Sequence, residues 1–305
     1  MTTYTAYKPG ITVAICTYNR SRYLADTLHY LAMQTTVQGD YEILVVNNNS
    51  TDATDEVLRQ WPDVRAVRED SQGLSYARNR ALREARFTHT LFIDDDVILP
   101  SDFLRAWQAF LTDHPNVCLA GAPIYVHFDD GKPSWFPMIL AQMLGRHKAR
   151  PEGYQYPAGS YPHGGNMLLN TQTALKAGGF NTGIGRTGAV LSAGEEKDFF
   201  LRLQRGGTQI MHNPNAVLGH RVGNERLTHE YVYRQARGIG HGDALVTHGM
   251  AAVWKWHLKQ GLKWAVSLVV SAGYLAGLRA GCALTVLRFR IEVLRGFLQA
   301  RQSSS

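Results

Sequence analysis

Three consecutive aspartates, Asp94, Asp95 and Asp96, follow an apolar run in the stretch "LFIDDDVILP" at residues 91–100. Adjacent carboxylates repel one another, so something nearby must compensate them. Along a strand, residues i and i+2 face the same side, so Asp94 and Asp96 can converge on one divalent ion while Asp95 points elsewhere. Few, hard oxygen ligands suit Mg²⁺ or Mn²⁺ carrying substrate phosphates better than an all-protein Ca²⁺ cage. EF-hand spacing is absent. The plain alternative is a solvated turn, where aspartate is common. The apolar strand that delivers the carboxylates favours the metal.

A second acidic group lies in "GEEKDFF". On a helix starting near Gly194, Glu195 and Asp198 are i, i+3 and share a face, while Glu196 projects beside them. Such acids can simply stabilise a helix N-terminus, or one can act as general base toward an acceptor hydroxyl. Spacing alone favours the first role. His220 in "VLGHRV" could ligate a metal or touch a phosphate, although a lone histidine is commonly structural. Arg221, Arg226, Arg234 and Arg237 lie on or near one candidate helix. They could neutralise a diphosphate or form a solvated basic face. Arg78 and Asn79 pose the same choice. "NNNSTD" suits a turn, with Asn49 at positive φ and Ser50 or Asp52 capping the next helix.

These residues need a scaffold, and the hydrophobic pattern supplies one. Apolar β-prone runs occur at 11–16, 41–46, 64–67 and 89–93. They alternate with helical patterns at about 21–34, 52–60, 73–85 and 101–111, the last capped by Ser101. That alternation predicts βαβ units and a parallel sheet, whose ligands bind beyond the strands' carboxyl ends. The loops after the first, second and fourth strands carry Thr17 and Asn19, residues 47–52, and the aspartates. Residues 117–212 are less regular and rich in Gly, Pro and aromatics, as expected of loops that meet a variable substrate. Helices are expected at 194–205 and 228–238.

Composition narrows the class further. Hydrophobic residues make up 45% and charged residues 19% of the 305-residue chain, which fits a folded protein rather than a disordered one. The three cysteines, Cys16, Cys118 and Cys282, are far apart, which argues against a disulfide framework or zinc site. The opening "MTTYTAYKPG" carries no signal-peptide pattern. The net charge of +7 does not predict nucleic-acid binding. Residues 250–305 hold eight basic side chains against Glu292 alone, the entire excess, and residues 1–249 are neutral.

Taken in order, eight segments over roughly residues 10–242 resemble the family 2 glycosyltransferases, an inverting group of GT-A fold. "TYNR" resembles the first nucleotide-binding loop, with Cys16 where proline is usual. "VVNNNSTD" is similar to V-D-[DN]-G-S-T-D, "GLSYARNRAL" to the G-x-[GS]-x-A-R-N-x-[AG] helix, and "FIDDDV" to the D-x-D metal site. "HGGNMLLN", "AGGFN", "GEEKDFFLRL" and "HNPNAVLGHRV" follow in family order.

The resemblance implies a mostly parallel Rossmann-like sheet flanked by helices. Residues 1–245 would form the transferase domain, with a nucleotide-binding half at about 10–115 and an acceptor half at 116–245. It implies that Thr17, Asn19, Arg20, Asn47, Asn49, Arg78, Asp94 and Asp95 contact the nucleotide sugar. Asp94, Asp96 and His220 would hold Mg²⁺ or Mn²⁺. Glu196 stands at the position of the catalytic aspartate, with Glu195 before it. Gly165, Asn166, Asp198, Arg202, Arg226 and Arg234 would serve the acceptor or diphosphate. Asn47 replaces the aspartate expected at the base, which leaves the nucleotide open; UDP is expected ahead of GDP or dTDP.

Residues 264–287, "WAVSLVVSAGYLAGLRAGCALTVL", are long enough to span a bilayer. They contain Arg279, whose insertion at the centre costs about 2.5–3.5 kcal/mol. With Trp254, Trp256 and Trp264 and Lys255, Lys259 and Lys263 at its start, the 246–305 tail is expected to associate with a membrane as an interfacial or re-entrant element. The competing reading is a helical hairpin packed on the rest of the protein. The chain is therefore expected to be a peripheral or monotopic enzyme on the cytoplasmic face of an inner membrane. It would transfer a sugar to a lipid-linked or cell-envelope saccharide. Two other classes compete: a nucleotidyltransferase of similar fold, for which "CTYNRSRY" lacks the glycines of a triphosphate loop, and a non-catalytic sugar- or nucleotide-binding protein with a degenerate site.

Overall fold

The structure, a computed structural model, describes residues 7–35, 39–184 and 194–302. The opening six residues, residues 185–193 of the irregular middle and the final "SSS" lie outside these. The chain divides into two compact units. The first holds the described residues up to Val126, then Gly145–Thr182 and Glu196–Arg221; the second holds His127–Leu144, the described part of Gly183–Glu195, and the residues from Val222 onward.

In chain order the elements are β1 (Lys8–Thr17), α1 (Ser21–Ala32), β2 (Tyr41–Asn47), α2 (Thr54–Arg59), β3 (Arg65–Arg68), α3 (Leu74–Glu84), β4 (Phe87–Ile93) and β5 (Val97–Ile98). There follow α4 (Phe103–Asp113), β6 (Leu119–Gly121), β7 (Ile124–Phe128), β8 (Asn166–Asn170), α5 (Thr171–Lys176), α6 (Glu195–Arg205), β9 (Ile210–His212) and β10 (Leu218–Val222). Three helices end the chain: α7 (His229–Leu245), α8 (Met250–Ala276) and α9 (Ala280–Gln302). The expected cap of α4 differs. Asp102 stands at its N-terminus, and the Ser101 carbonyl accepts from Thr35 instead.

Seven strands form a sheet in the order β3-β2-β1-β4-β8-β6-β9. β3, β2, β1 and β4 run parallel, while β8 is antiparallel to both β4 and β6. The period-2 side-chain alternation fills two cores. Ile11, Val13 and Ile15 pack with Leu24, Leu28 and Leu31 of α1 and Phe103 and Trp107 of α4 on one face. Ala14, Leu44, Val46 and Phe92 meet Ala77 and Ala81 of α3 and Phe199 and Phe200 of α6 on the other. Each fully buried side chain of this size contributes roughly 1.5–3 kcal/mol by leaving water, which is why the strands read as continuous apolar runs.

The chain leaves β1 toward β2 and β3, then crosses back to place β4 on the other side of β1. Such a reversal opens a crevice at the strands' carboxyl ends. Register aligns those ends: Thr17 sits opposite Asn47, and Ile15 opposite Ile93. A separate three-stranded sheet, β5-β10-β7, sets His220 opposite Val97.

In the second unit α7 precedes the boundary expected near residue 245, yet it packs closely on α9. Two glycines allow this, because a Cβ at Gly240 would strike the Val293 carbonyl and one at Gly296 the Arg237 carbonyl. Residues 264–287 do not form one helix. Gly277, Leu278 and Arg279 turn the chain between α8 and α9, and among the described residues no helix is long and apolar enough to cross a membrane.

Candidate active site

The loop after β1 is fastened to its neighbours by short polar side chains. Thr17, buried at the strand end, donates to Asp95 Oδ2 (2.7 Å). Thr27 of α1 donates to the Asp95 carbonyl (2.8 Å) and accepts from Val97 N–H (3.1 Å), which pins the backbone of the aspartate triplet. Asn19 takes φ 53°. Its N–H donates to Ser50 Oγ and its Oδ1 accepts from Thr51 N–H, joining the first and second loops.

Asn49 has the expected positive φ, 64°, and accepts from Arg68. Both ends of the Asn47 amide are engaged, Oδ1 by Ser50 N–H and Nδ2 by Asp55. An aspartate at 47 would face the Asp55 carboxylate, whereas the amide bonds to it. Ser50 receives Asn19 rather than capping α2, and Asp52 accepts from Thr54 N–H at that helix start. Asn48 accepts from Gly73 N–H and so ties the second loop to the head of α3, the helix that carries Arg78.

The aspartate triplet is largely buried, with Asp95 4% and Asp96 1% exposed. A cation, Arg20 at the head of α1, lies beside it. Arg20 Nη1 lies 2.7 Å from Asp96 Oδ2 and 3.5 Å from Asp95 Oδ1. Burial and the neighbouring aspartates push the Asp95 carboxyl up to about 6 against the pull of Arg20. Burial works against the Arg20 cation, but the three carboxylates outweigh it and raise its pKa. Burial also pushes the Cys16 thiol up to about 12, so it stays protonated.

His220 arrives through the β5–β10 ladder, more than a hundred residues downstream, and its Nε2 lies 3.1 Å from Asp96 Oδ1. One ligand atom each from Asp94, Asp96 and His220 lies within 4.8 Å of the others. Two carboxylate oxygens and one imidazole nitrogen could hold a divalent cation and leave coordination positions for phosphate oxygens.

Glu196, in the first turn of α6, is held at both oxygens. Arg78 Nη2 lies 2.9 Å from Oε1, and Gly164 N–H donates to Oε2 (2.9 Å). Burial alone would raise its carboxyl, but Arg78, His163 and the Gly164 N–H together hold it below the usual range. Two glycines separate this carboxylate from the aspartates. A Cβ at Gly164 would strike Glu196 Oε1 and Arg78 Nη2, and one at Gly165 would stand 2.5 Å from Asp94 Oδ2. His163 accepts from Gly165 N–H and shapes this bend. His163, Gly164 and Thr27 were not singled out from the sequence; the doubled glycine in "PHGGN" was the available signal.

Other expected residues serve different contacts. Asn166 is fully buried, and its amide N–H donates to the carbonyls of Pro123 and Ala216. Asp198 pairs with Arg202 (2.9 Å), and Arg202 also donates to the Ala177 and Gly179 carbonyls, fastening α6 to the turn after α5. Glu195 is buried. The four arginines lie on α7 or in the segment just before it. Arg221 is on β10 and pairs with Asp26, Arg226 is in a 3₁₀ turn, Asn224–Arg226, and only Arg234 and Arg237 are on α7. Thr228 caps α7 by accepting from Tyr231 N–H, so that helix starts too late to include the first two.

Residues 12–174, just over half of the chain, match the model of the family described as "Glycosyl transferase family 2". The chain is 21% identical over 229 residues to a glucosyl-dolichyl phosphate glucuronosyltransferase of Haloferax volcanii, covering 73% of this chain and 72% of that protein. It is 30% identical over 140 residues to a chondroitin synthase of Escherichia coli, 44% of this chain but 20% of that much longer one. Among solved structures it resembles a mannosyltransferase from Pyrobaculum calidifontis in complex with GDP-Man and Mn²⁺. The TM-score is 0.63 at 20% identity, over 96% of this chain and 88% of that one. It also resembles GalNAc-T7 with UDP, GalNAc and Mn²⁺, with a TM-score of 0.53 at 15% identity over 78% of this chain and 49% of that one. These likenesses establish the GT-A fold.

Proposed function

The chain belongs to glycosyl transferase family 2, a glycosyltransferase using nucleotide-sugar donors, and on that premise we propose that it inverts the sugar it transfers, requires a divalent cation and uses Glu196 as the base. The observation that carries this reading is the pair Gly164 and Gly165, which stand between Glu196 on one side and Asp94 on the other. A reacting centre near these glycines would have a proton acceptor at one edge and anionic donor-binding groups at the other.

In the proposed reaction Glu196 removes the proton from an acceptor hydroxyl as its oxygen bonds to the anomeric carbon. The bond from that carbon to the diphosphate oxygen breaks, and the electron pair leaves with the nucleoside diphosphate. A divalent cation held by Asp94, Asp96 and His220 would neutralise the charge that develops there. Arg78 keeps Glu196 ionised, and the carboxylate retains lone pairs beyond the two already engaged. Thr17, Asn19, Arg20, Asn47 and Asn49 are proposed to surround the nucleotide.

We place the acceptor at a membrane, as a lipid-linked or envelope saccharide hydroxyl on the cytoplasmic face. The dolichyl phosphate in the Haloferax enzyme's name supports that placement, as does the apolar exterior of α8. A thermal-shift panel of UDP, GDP, dTDP and CDP with and without Mn²⁺ tests the donor site, because a ligand selective for the folded state raises its melting point. UDP with Mn²⁺ is expected to give the largest shift. Glu196→Gln should keep that shift and lose transfer by about 100-fold or more. Substantial transfer by the variant would move the base to another residue, and no shift with any nucleotide would overturn the reading.

A further inference from the structure

Helix α8 is turned inside out for a helix in water. The side chains it buries include Trp256, Gln260, Ser267 and Ser271, a stripe with one amide and two hydroxyls. Its opposite side exposes Trp254 (73%), Leu258 (57%), Leu262 (66%), Val266 (55%) and Val269 (74%). Steps of four and three residues place these five on one continuous stripe. Isolated exposed leucines are ordinary, but a row along several turns marks a surface that meets something apolar.

The turn after α8 extends the row. Arg279 N–H donates to the Tyr274 carbonyl (2.8 Å) and Leu278 N–H to the Leu275 carbonyl (3.0 Å), which makes Leu278 the left-handed residue of a Schellman motif. That position favours glycine, yet a leucine occupies it at φ 54° with 94% of its surface exposed. A branched side chain is disfavoured there, and its exposure leaves it little packing among the described residues to compensate.

Charge distinguishes among occupants. Helix α8 contains no acidic residue, and Lys255, Lys259 and Lys263 form an i, i+4 row beside the apolar stripe. The one carboxylate of residues 250–302, Glu292, is enclosed by Arg237, Arg288 and Arg295. Pairing of α8 with its counterpart in a second copy would bring lysine rows together, with no acid on either helix to meet them. An anionic lipid surface matches both the lysines and the apolar stripe, with the lysine stems reaching up to the headgroups.

We propose that the outer face of α8, with Leu278 at its end, is an in-plane seat on an anionic bilayer. This deepens the membrane placement given above and is independent of the transfer chemistry. The full chain should sediment with phosphatidylcholine vesicles containing phosphatidylglycerol and less with phosphatidylcholine alone. Leu262→Glu should weaken that binding on the order of tenfold or more, and Lys255→Gln with Lys259→Gln and Lys263→Gln should remove the preference for phosphatidylglycerol.

Leu278→Gly separates anchoring from folding, since it should raise the melting temperature while weakening vesicle binding several-fold. The nucleotide-induced melting shift should be unchanged in all of these variants, so failure of the donor reading would register separately. Wild-type protein left in the supernatant with both vesicle types would overturn the seat, as would Leu262→Glu sedimenting as well as wild type. A dimer that Leu262→Glu dissociates, with no vesicle binding, would reassign the face to a second copy.

Discussion

At the end of β4 two buried carboxylates, Asp95 and Asp96, lie beside the guanidinium of Arg20. In α9 a single carboxylate, Glu292, takes Arg237, Arg288 and Arg295. In the first cluster carboxylates gather on a cation, with His220 also 3.1 Å from Asp96; in the second, cations gather on a carboxylate. Around Glu292 the carboxylate is fully buried while the arginines stay about half exposed, at 51%, 47% and 48%. Water therefore solvates the surplus positive charge, and the cluster can persist without a ligand. Around Asp96 the carboxylates are largely buried, and burial together with the neighbouring aspartates drives the Asp95 carboxyl up against the pull of Arg20. An excess of one sign in a buried, partly compensated cluster is a physical reason to expect a ligand of the other sign, whereas an excess at half-exposed arginines is a surface property.

The largest effect should come from removing a carboxylate where the surplus is buried. Asp96→Ala should lower the affinity for donor plus Mn²⁺ by more than about 100-fold, and titration calorimetry showing unchanged affinity would break the comparison at its first half. Next, Glu292→Gln should destabilise the protein by about 2 kcal/mol in urea unfolding, less than for a fully buried pair because the arginines are partly solvated.

That loss should depend on pH. Burial raises the Glu292 carboxyl but the three arginines lower it further, so its folded pKa lies below the unfolded one. Its contribution is present above the unfolded value, about 4.3, and is lost as pH falls through the folded value. Wild type and Glu292→Gln should therefore converge in stability in acid. A constant gap would mean that shape, rather than charge, is what the glutamate provides.

Arg20→Gln sharpens the first half by removing the guanidinium beside Asp95 and Asp96. Binding of Mn²⁺ alone, followed by calorimetry, should strengthen by about tenfold or less; weaker binding would make Arg20 a support for the aspartates rather than a competitor. The smallest change is expected for Arg288→Gln, which leaves two guanidiniums on Glu292 and should cost no more than about 0.5 kcal/mol.

Local pattern carried much of this. The apolar runs before Thr17, Asn47 and Asp94 identify strands, because a strand buried on both faces needs them, and they place the polar residues at strand ends. Asn49 at positive φ and the helices at 73–85 and 194–205 were legible for similarly local reasons. Arg20 was legible as a candidate but not as the partner of Asp96, since nothing nearby in sequence points a guanidinium from α1 into the loop after β4. The split of residues 264–287 was hidden because Leu278, rather than a glycine, takes the left-handed turn position.

What the chain determined by itself was therefore periodicity and chemistry: which segments are strands or helices, which carboxylates stand at a strand end, and how basic the tail is. These follow from side chains within a few residues of each other. Only the tertiary structure decided that His220 meets Asp96, that Gly164 and Gly165 stand between Glu196 and Asp94, and which side of α8 faces out. Those depend on strand register and helix packing across tens to hundreds of residues, set by the summed burial of a whole core rather than by any local spacing.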